Sequence, residues 1–178
     1  MEIFPIEKMQ KNLGLDKLIY NRGIRATTTA ELLTTMNLCI FDWGPSKIFI
    51  NIGSNDLGFN VPESTFLANY DEILRQIKEK LPETKVYVMA YYPVNPVADF
   101  GESEAEHKSL FATRNNEILK SASSKVAELA QKYNYEFINV NEGLADADGN
   151  LRKELTFDGA HLLPAGYDIV LGNMMIYL

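Results

Sequence analysis

The chain is poor in the residues that most often carry special chemistry. It has one cysteine, Cys39, and two histidines, His107 and His161. A single thiol excludes an intrachain disulfide and a cysteine-based zinc site. No metal and no cofactor is expected. Positive charge is in deficit, with 17 Lys and Arg against 24 Asp and Glu and a formal charge of -7. Nucleic acid and anionic membrane surfaces need a basic footprint that this composition lacks. No apolar run approaches the roughly 20 residues that span a bilayer. The opening MEIFPIEKMQ lacks the basic start and apolar stretch of a signal peptide. With Met1 taken as the start, a cytoplasmic location is expected. There is no internal repeat, no linker, and no Gly-x-Ser-x-Gly elbow of the kind that presents a nucleophilic serine.

What remains is a chain of 178 residues with 46% hydrophobic content, enough for one domain with a full core and too little for two. Strand-like and helix-like segments alternate. KLIYNR (17–22), KIFINI (47–52), KVYVMAYY (85–92) and YEFINV (135–140) read as strands. Between them, residues 27–38 read as a helix with Thr27 or Thr28 as cap. Pro62 opens a second helix that runs to about Lys80 and is stopped by Pro82. A long helix is expected from about Glu106 to Tyr133, and a last one from Pro164. Strands that are apolar on both faces and alternate with helices indicate a parallel sheet covered on both sides. The expected fold is a three-layer α/β/α sandwich of flavodoxin-like kind, spanning residues 1–178 as a single domain. In such folds the working residues collect at the carboxyl ends of the strands. Those ends read Asn21-Arg22-Gly23, Gly53-Ser54-Asn55-Asp56 and Tyr92-Pro93-Val94-Asn95, and the turn Asp158 to His161 follows the last strand.

An imidazole held by a carboxylate has its tautomer fixed, and its free nitrogen can take a proton. Glycine and asparagine at neighbouring strand ends can donate hydrogen bonds to a developing oxyanion. Together these parts describe acyl transfer. Each also has a plain structural reading: an Asp-x-x-His turn as a local hydrogen bond, Asn55 as a turn cap, Gly23 as a residue of positive φ. Ser54 reads as structural, Cys39 as core, and His107 as part of a solvated helix face beside Glu104 and Glu106.

These blocks, in this order, resemble the SGNH hydrolases, also called GDSL esterases or lipases, and especially their bacterial branch similar to platelet-activating-factor acetylhydrolase. NRGIRATTTAEL resembles the glycine block with Gly23. INIGSNDLG resembles the asparagine block with Gly53, Asn55 and Asp56. DGAHLLPAGY resembles the Asp/His block, and YYPVNP resembles the family's fourth-strand ending. The resemblance implies His161 as general base, Asp158 as its partner, and the Gly23 amide and Asn55 side chain as oxyanion donors. Gly53 and Asp56 would support the site loop. The glycine block departs from the family's Gly-x-x-Gly-Asp and continues Ile24-Arg25-Ala26-Thr27.

The serine block is absent. By comparison with the family, the nucleophile would fall about two residues before Met1, and the strand carrying it would lie centrally in the sheet, between 17–22 and 47–52. The chain therefore reads as an N-terminally truncated domain of a serine esterase acting on small acyl esters. The alternative is a catalytically inactive module that kept the fold and binds a ligand. A sheet with a gap at its centre is not tenable, so a strand from upstream residues or from a second copy of the chain is expected beside 47–52, not direct pairing with 18–20.

Overall fold

Three short parallel strands, β1 (Lys47–Ile50), β2 (Lys85–Met89) and β3 (Glu136–Ile138), lie side by side in that order in the computed structural model, which describes residues 4–12, 14 and 18–178. Ile48 is opposite Val86, and Val88 is opposite Phe137. Side chains alternate across the sheet, as the pleat requires. Ile48, Ile50, Val86, Val88 and Phe137 join the core under one helical layer. Phe49, Tyr87, Met89 and Ile138 join a second core on the opposite face. The first layer holds α2 (Thr29–Cys39), α4 (Glu63–Lys80) and α6 (Asn116–Lys132), and the second holds α1 (Ile6–Asn12) and α7 (Pro164–Met174). This is the expected three-layer α/β sandwich.

The helices start and stop for identifiable reasons. Thr28 caps α2, accepting from the Glu31 N–H while the Glu31 carboxylate accepts the Thr28 N–H at 2.7 Å. The α4 helix follows Pro62 and ends before Pro82, and Phe66, Tyr70, Ile73, Leu74 and Ile77 form its buried stripe. Truncating Leu74 to Ala would cost about 2–5 kcal/mol. Cys39 is buried, as read from the sequence. Among the described residues no helix is long and apolar enough to cross a membrane.

The long helix expected over 106–133 is two helices, α5 (Glu104–Phe111) and α6, with a break at residues 112–115. Asn115 is extended and its Oδ1 accepts the Ile118 N–H, which caps α6 and starts it afresh. The expected strand over 17–22 is also corrected. Lys17 lies outside the described residues, and 18–22 form no strand. Their backbone groups are taken by side chains of α1. Gln10 brackets Ile19, accepting its N–H at 2.7 Å and donating to its carbonyl at 3.1 Å, and Glu7 accepts the Asn21 N–H. Among the described residues β1 pairs with β2 alone, so it is an edge strand and 18–20 have not closed onto it. Among the described residues no strand fills that edge. Leu18, Tyr20, Ile24, Leu38 and Trp43 are exposed, and Arg22 stacks on the Trp43 ring.

Candidate active site

The turn after residue 155 is built around two side chains. Thr156 is buried and its Oγ1 accepts the Gly159 N–H at 2.9 Å. Asp158 Oδ1 accepts the N–H groups of Ala160 and His161 at 2.9 and 2.8 Å. Its other oxygen, Oδ2, lies 2.6 Å from His161 Nδ1. Burial opposes ionisation of Asp158, but the hydrogen bonds from the His161 ring and the two amides outweigh it and hold the carboxyl below its ordinary range. An ionised Asp158 has no proton to give, so Nδ1–H is the donor, and in the neutral ring Nε2 is left to accept. His161 Nε2 makes no hydrogen bond among the described residues. Phe157 stacks parallel to the ring at 5.6 Å and fixes its plane.

This turn is bolted to the loop after β2. Asn95 donates its N–H to the Gly159 carbonyl at 2.7 Å and its side-chain amide to the Leu151 carbonyl at 2.6 Å. Gly159 has φ of +79°, and a Cβ there would fall 2.5 Å from the Asn95 carbonyl and 2.9 Å from Phe111. Glycine is required on both counts. Asn116 clamps the same loop, accepting the Val94 N–H and donating to the Val94 carbonyl.

The asparagine block forms the short helix α3 (Ser54–Gly58). Asn55 Nδ2 donates to the Thr27 carbonyl at 2.9 Å, which joins α3 to the loop following Gly23. Asp56 is buried and clasps Thr29, accepting its N–H at 2.9 Å and its hydroxyl at 2.5 Å. Gly53 has φ of +116°, and a Cβ there would lie 2.4 Å from Phe66 and 2.5 Å from the Tyr91 hydroxyl. Gly53 and Asp56 thus hold α3 in place. Ser54 is the first residue of α3. The Gly23 N–H donates to Asn21 Oδ1 at 2.9 Å, an Asx turn that occupies the amide expected to face an oxyanion.

His107 is not on a solvated face. Its Nδ1 lies 2.5 Å from Glu102 and its Nε2 2.7 Å from the Pro96 carbonyl. The Glu102 hydrogen bond, then the carbonyl, raise its pKa. Its partner is Glu102 rather than Glu104 or Glu106, because the chain folds back ahead of α5. Arg114 was not singled out from the sequence. It lies in the break between α5 and α6, with its guanidinium against Gly58, where a Cβ would fall 1.8 Å from Nη2. Burial lowers its pKa and the Asp158 charge partly restores it; Arg114 packs against α3 and feels the charge of the His161 turn. Among the described residues no three His, Cys, Asp or Glu side chains converge on a metal position.

Comparison with known proteins bears on the family and the fold. A model of the GDSL-like lipase/acylhydrolase family matches residues 7–169. A Streptococcus pneumonia protein described as a platelet activating factor superposes with a TM-score of 0.84 at 33% identity, over 99% of this chain and 78% of its own. A GDSL-like lipase from Bacteroides thetaiotaomicron VPI-5482 superposes at 0.73 with 20% identity, over 96% of this chain and 78% of its own. The acetyl xylan esterase AlAXEase superposes at 0.71 with 17% identity, over 99% and 90%. At the two lower identities the likeness is one of fold. No curated protein matches the chain. With its sandwich, its asparagine block and its Asp/His turn in family order, the chain belongs to the GDSL-like lipase/acylhydrolase family, whose general activity is acyl-ester hydrolysis.

Proposed function

We propose that the protein is a serine esterase that cleaves small acyl esters, acetyl esters among them, through a Ser-His-Asp triad whose serine lies on a segment ahead of Met1. The observation that carries this reading is the Asp158–His161 pair, with Nδ1 bonded at 2.6 Å and Nε2 left to accept a proton. His161 Nε2 takes the serine hydroxyl proton as the oxygen attacks the ester carbonyl, and Asp158 stabilises the imidazolium that results. Negative charge develops on the carbonyl oxygen. Asn55 has one N–H on Thr27 and a second to offer that oxygen. The Gly23 amide joins it once the Asn21 side chain gives way. Collapse of the tetrahedral intermediate breaks the bond to the alcohol, which receives the proton from His161. Water then repeats the sequence on the acyl-enzyme, with His161 again as base.

The second reading is an inactive binding module. The observation in its favour is the occupied Gly23 amide. The two readings separate in one experiment. The protein is expressed with the coding sequence upstream of Met1 and treated with a fluorophosphonate. Stoichiometric labelling of an upstream serine, with turnover of p-nitrophenyl acetate that falls by about a thousandfold or more in His161→Ala, supports the esterase. Absence of labelling and turnover supports the module. Labelling at Ser54 would place the nucleophile inside the present chain and overturn the assignment.

A further inference from the structure

Arg114 is unusual among the charged side chains of this protein. The chain carries an excess of acids, and Arg75 and Arg152 are each paired with glutamates. Arg114 makes no hydrogen bond or ion pair among the described residues, and its Nε is buried without a partner. Arg114 is partly buried, and leaving its buried Nε without an acceptor is costly; its guanidinium is a fork of donors that matches a carboxylate. Its place is specific. The guanidinium lies against Gly58 at the end of α3, three residues beyond Asn55, and Gly58 leaves it room. The charge of Asp158 also acts on it. The break between α5 and α6 is the local structure that puts it there.

We propose that Arg114 is a specificity-determining residue that binds an anionic group of the substrate, so that the preferred ester carries a carboxylate close to the scissile bond. The inference rests on the esterase reading above. A carboxylate docked on Arg114 gives the fork its acceptor, and the local positive charge of Arg114 offsets the repulsion that a net charge of -7 exerts on an anion. It also anchors the ester between α3 and the His161 turn, where Asn55 and the base act on the same carbonyl.

The test uses the full-length protein and three esters: neutral p-nitrophenyl acetate, mono-p-nitrophenyl succinate with its carboxylate on the acyl side, and 4-acetoxybenzoate with its carboxylate on the alcohol side. The expected result is a higher kcat/KM for one anionic ester than for the neutral one. Arg114→Gln should lower that ratio by about 10- to 100-fold, the size of one lost charge-assisted pair, mainly through KM. Arg114→Lys should restore part of the ratio, and rising salt should erode it. Whichever anionic ester responds shows on which side of the ester bond the carboxylate sits. Titration calorimetry with succinate and benzoate gives a readout that needs no turnover, and binding should weaken in Arg114→Gln. If no ester is turned over but these anions bind through Arg114, the esterase reading fails and the anion site stands. A wild-type protein with no preference for either anionic ester, or a ratio that does not move in Arg114→Gln and Arg114→Lys, overturns the proposal. If Arg114→Gln fails to fold, the wild-type preference and the Arg114→Lys ratio still decide it.

Discussion

Gly53→Ala tests how α3 is held. Two costs add. At φ of +116° an L side chain is strained, at about 1 kcal/mol or more. The new Cβ would also meet Phe66 at 2.4 Å and the Tyr91 hydroxyl at 2.5 Å. Neither neighbour is free to move. Phe66 is 1% exposed, and the Tyr91 hydroxyl donates to the Ile52 carbonyl at 2.7 Å. Forcing one methyl group into such packing costs about 1–3 kcal/mol more. The total of about 2–4 kcal/mol is a large share of the roughly 5–15 kcal/mol that a domain has to lose. Gly101→Ala isolates the first cost, because Gly101 has φ of +88° and open space around it. For a chain of this size each kcal/mol lowers Tm by about 2–4 °C. Gly53→Ala should therefore melt about 4–16 °C below the natural protein, and Gly101→Ala about 2–4 °C below. Thermal unfolding followed by circular dichroism reads both. If the two variants melt within about 2 °C of each other, the collision is relieved cheaply and the packing argument is wrong.

Thr29→Val should cost about 1–3 kcal/mol in urea unfolding, because Oδ1 of the buried Asp56 loses its donor; an unchanged midpoint would contradict the clasp. Asn55→Ala should lower kcat on the order of 100-fold with little change in KM, together with a stability loss of about 1 kcal/mol from the Thr27 bond. A rise in KM alone would make Asn55 a binding residue. His107 has a raised pKa in the folded state, so its contribution is fully present below about pH 6.5 and is lost as pH rises through the folded value. The Tm difference between His107→Gln and the natural protein should thus be larger at pH 5.5 than at pH 9, and a difference independent of pH would rule out the charged latch. For Asp158 the sign is opposite. Its carboxyl is depressed, so its contribution is present above about pH 3.9 and fades as pH falls through the folded value. Asp158→Asn should therefore lose its stability deficit on acidification, as followed by urea midpoints between pH 6 and 3.

Some of this was legible in the sequence because the information is local. The α4 helix is bracketed by Pro62 and Pro82, and its apolar stripe has the helical period. Asp158 and His161 are three residues apart, so a single turn brings them together. Other features depend on partners far along the chain. Between 106 and 133 there is no Pro or Gly; the Asn115 cap is a local signal that the helical pattern on either side masks, and the distant part of the break is Arg114 seating against Gly58. Residues 18–20 are a short apolar run of strand-like composition, yet a strand needs a neighbour, and Gln10 and Glu7 take up backbone groups of Ile19 and Asn21 instead. Asn55 was found as a motif, but its tie to Thr27 and the occupied Gly23 amide follow from loop geometry that spacing does not encode.

The seam between Asn95 and the His161 turn bears on the order in which the protein assembles. It joins residues more than fifty positions apart through Asn95 N–H to Gly159, the Asn95 amide to Leu151, and Leu151 N–H to Val94. Closing so long a loop is repaid only after β2 and its following loop are already in place. The helices, by contrast, form from near neighbours. In a refolding experiment the far-ultraviolet helical signal should return before the Phe157–His161 stack is made, so a population with almost full secondary structure and no competent imidazole should pass through transiently. The catalytic turn is then a late reporter of the finished molecule, and recovered activity would count correctly docked chains where a helical signal would count merely collapsed ones.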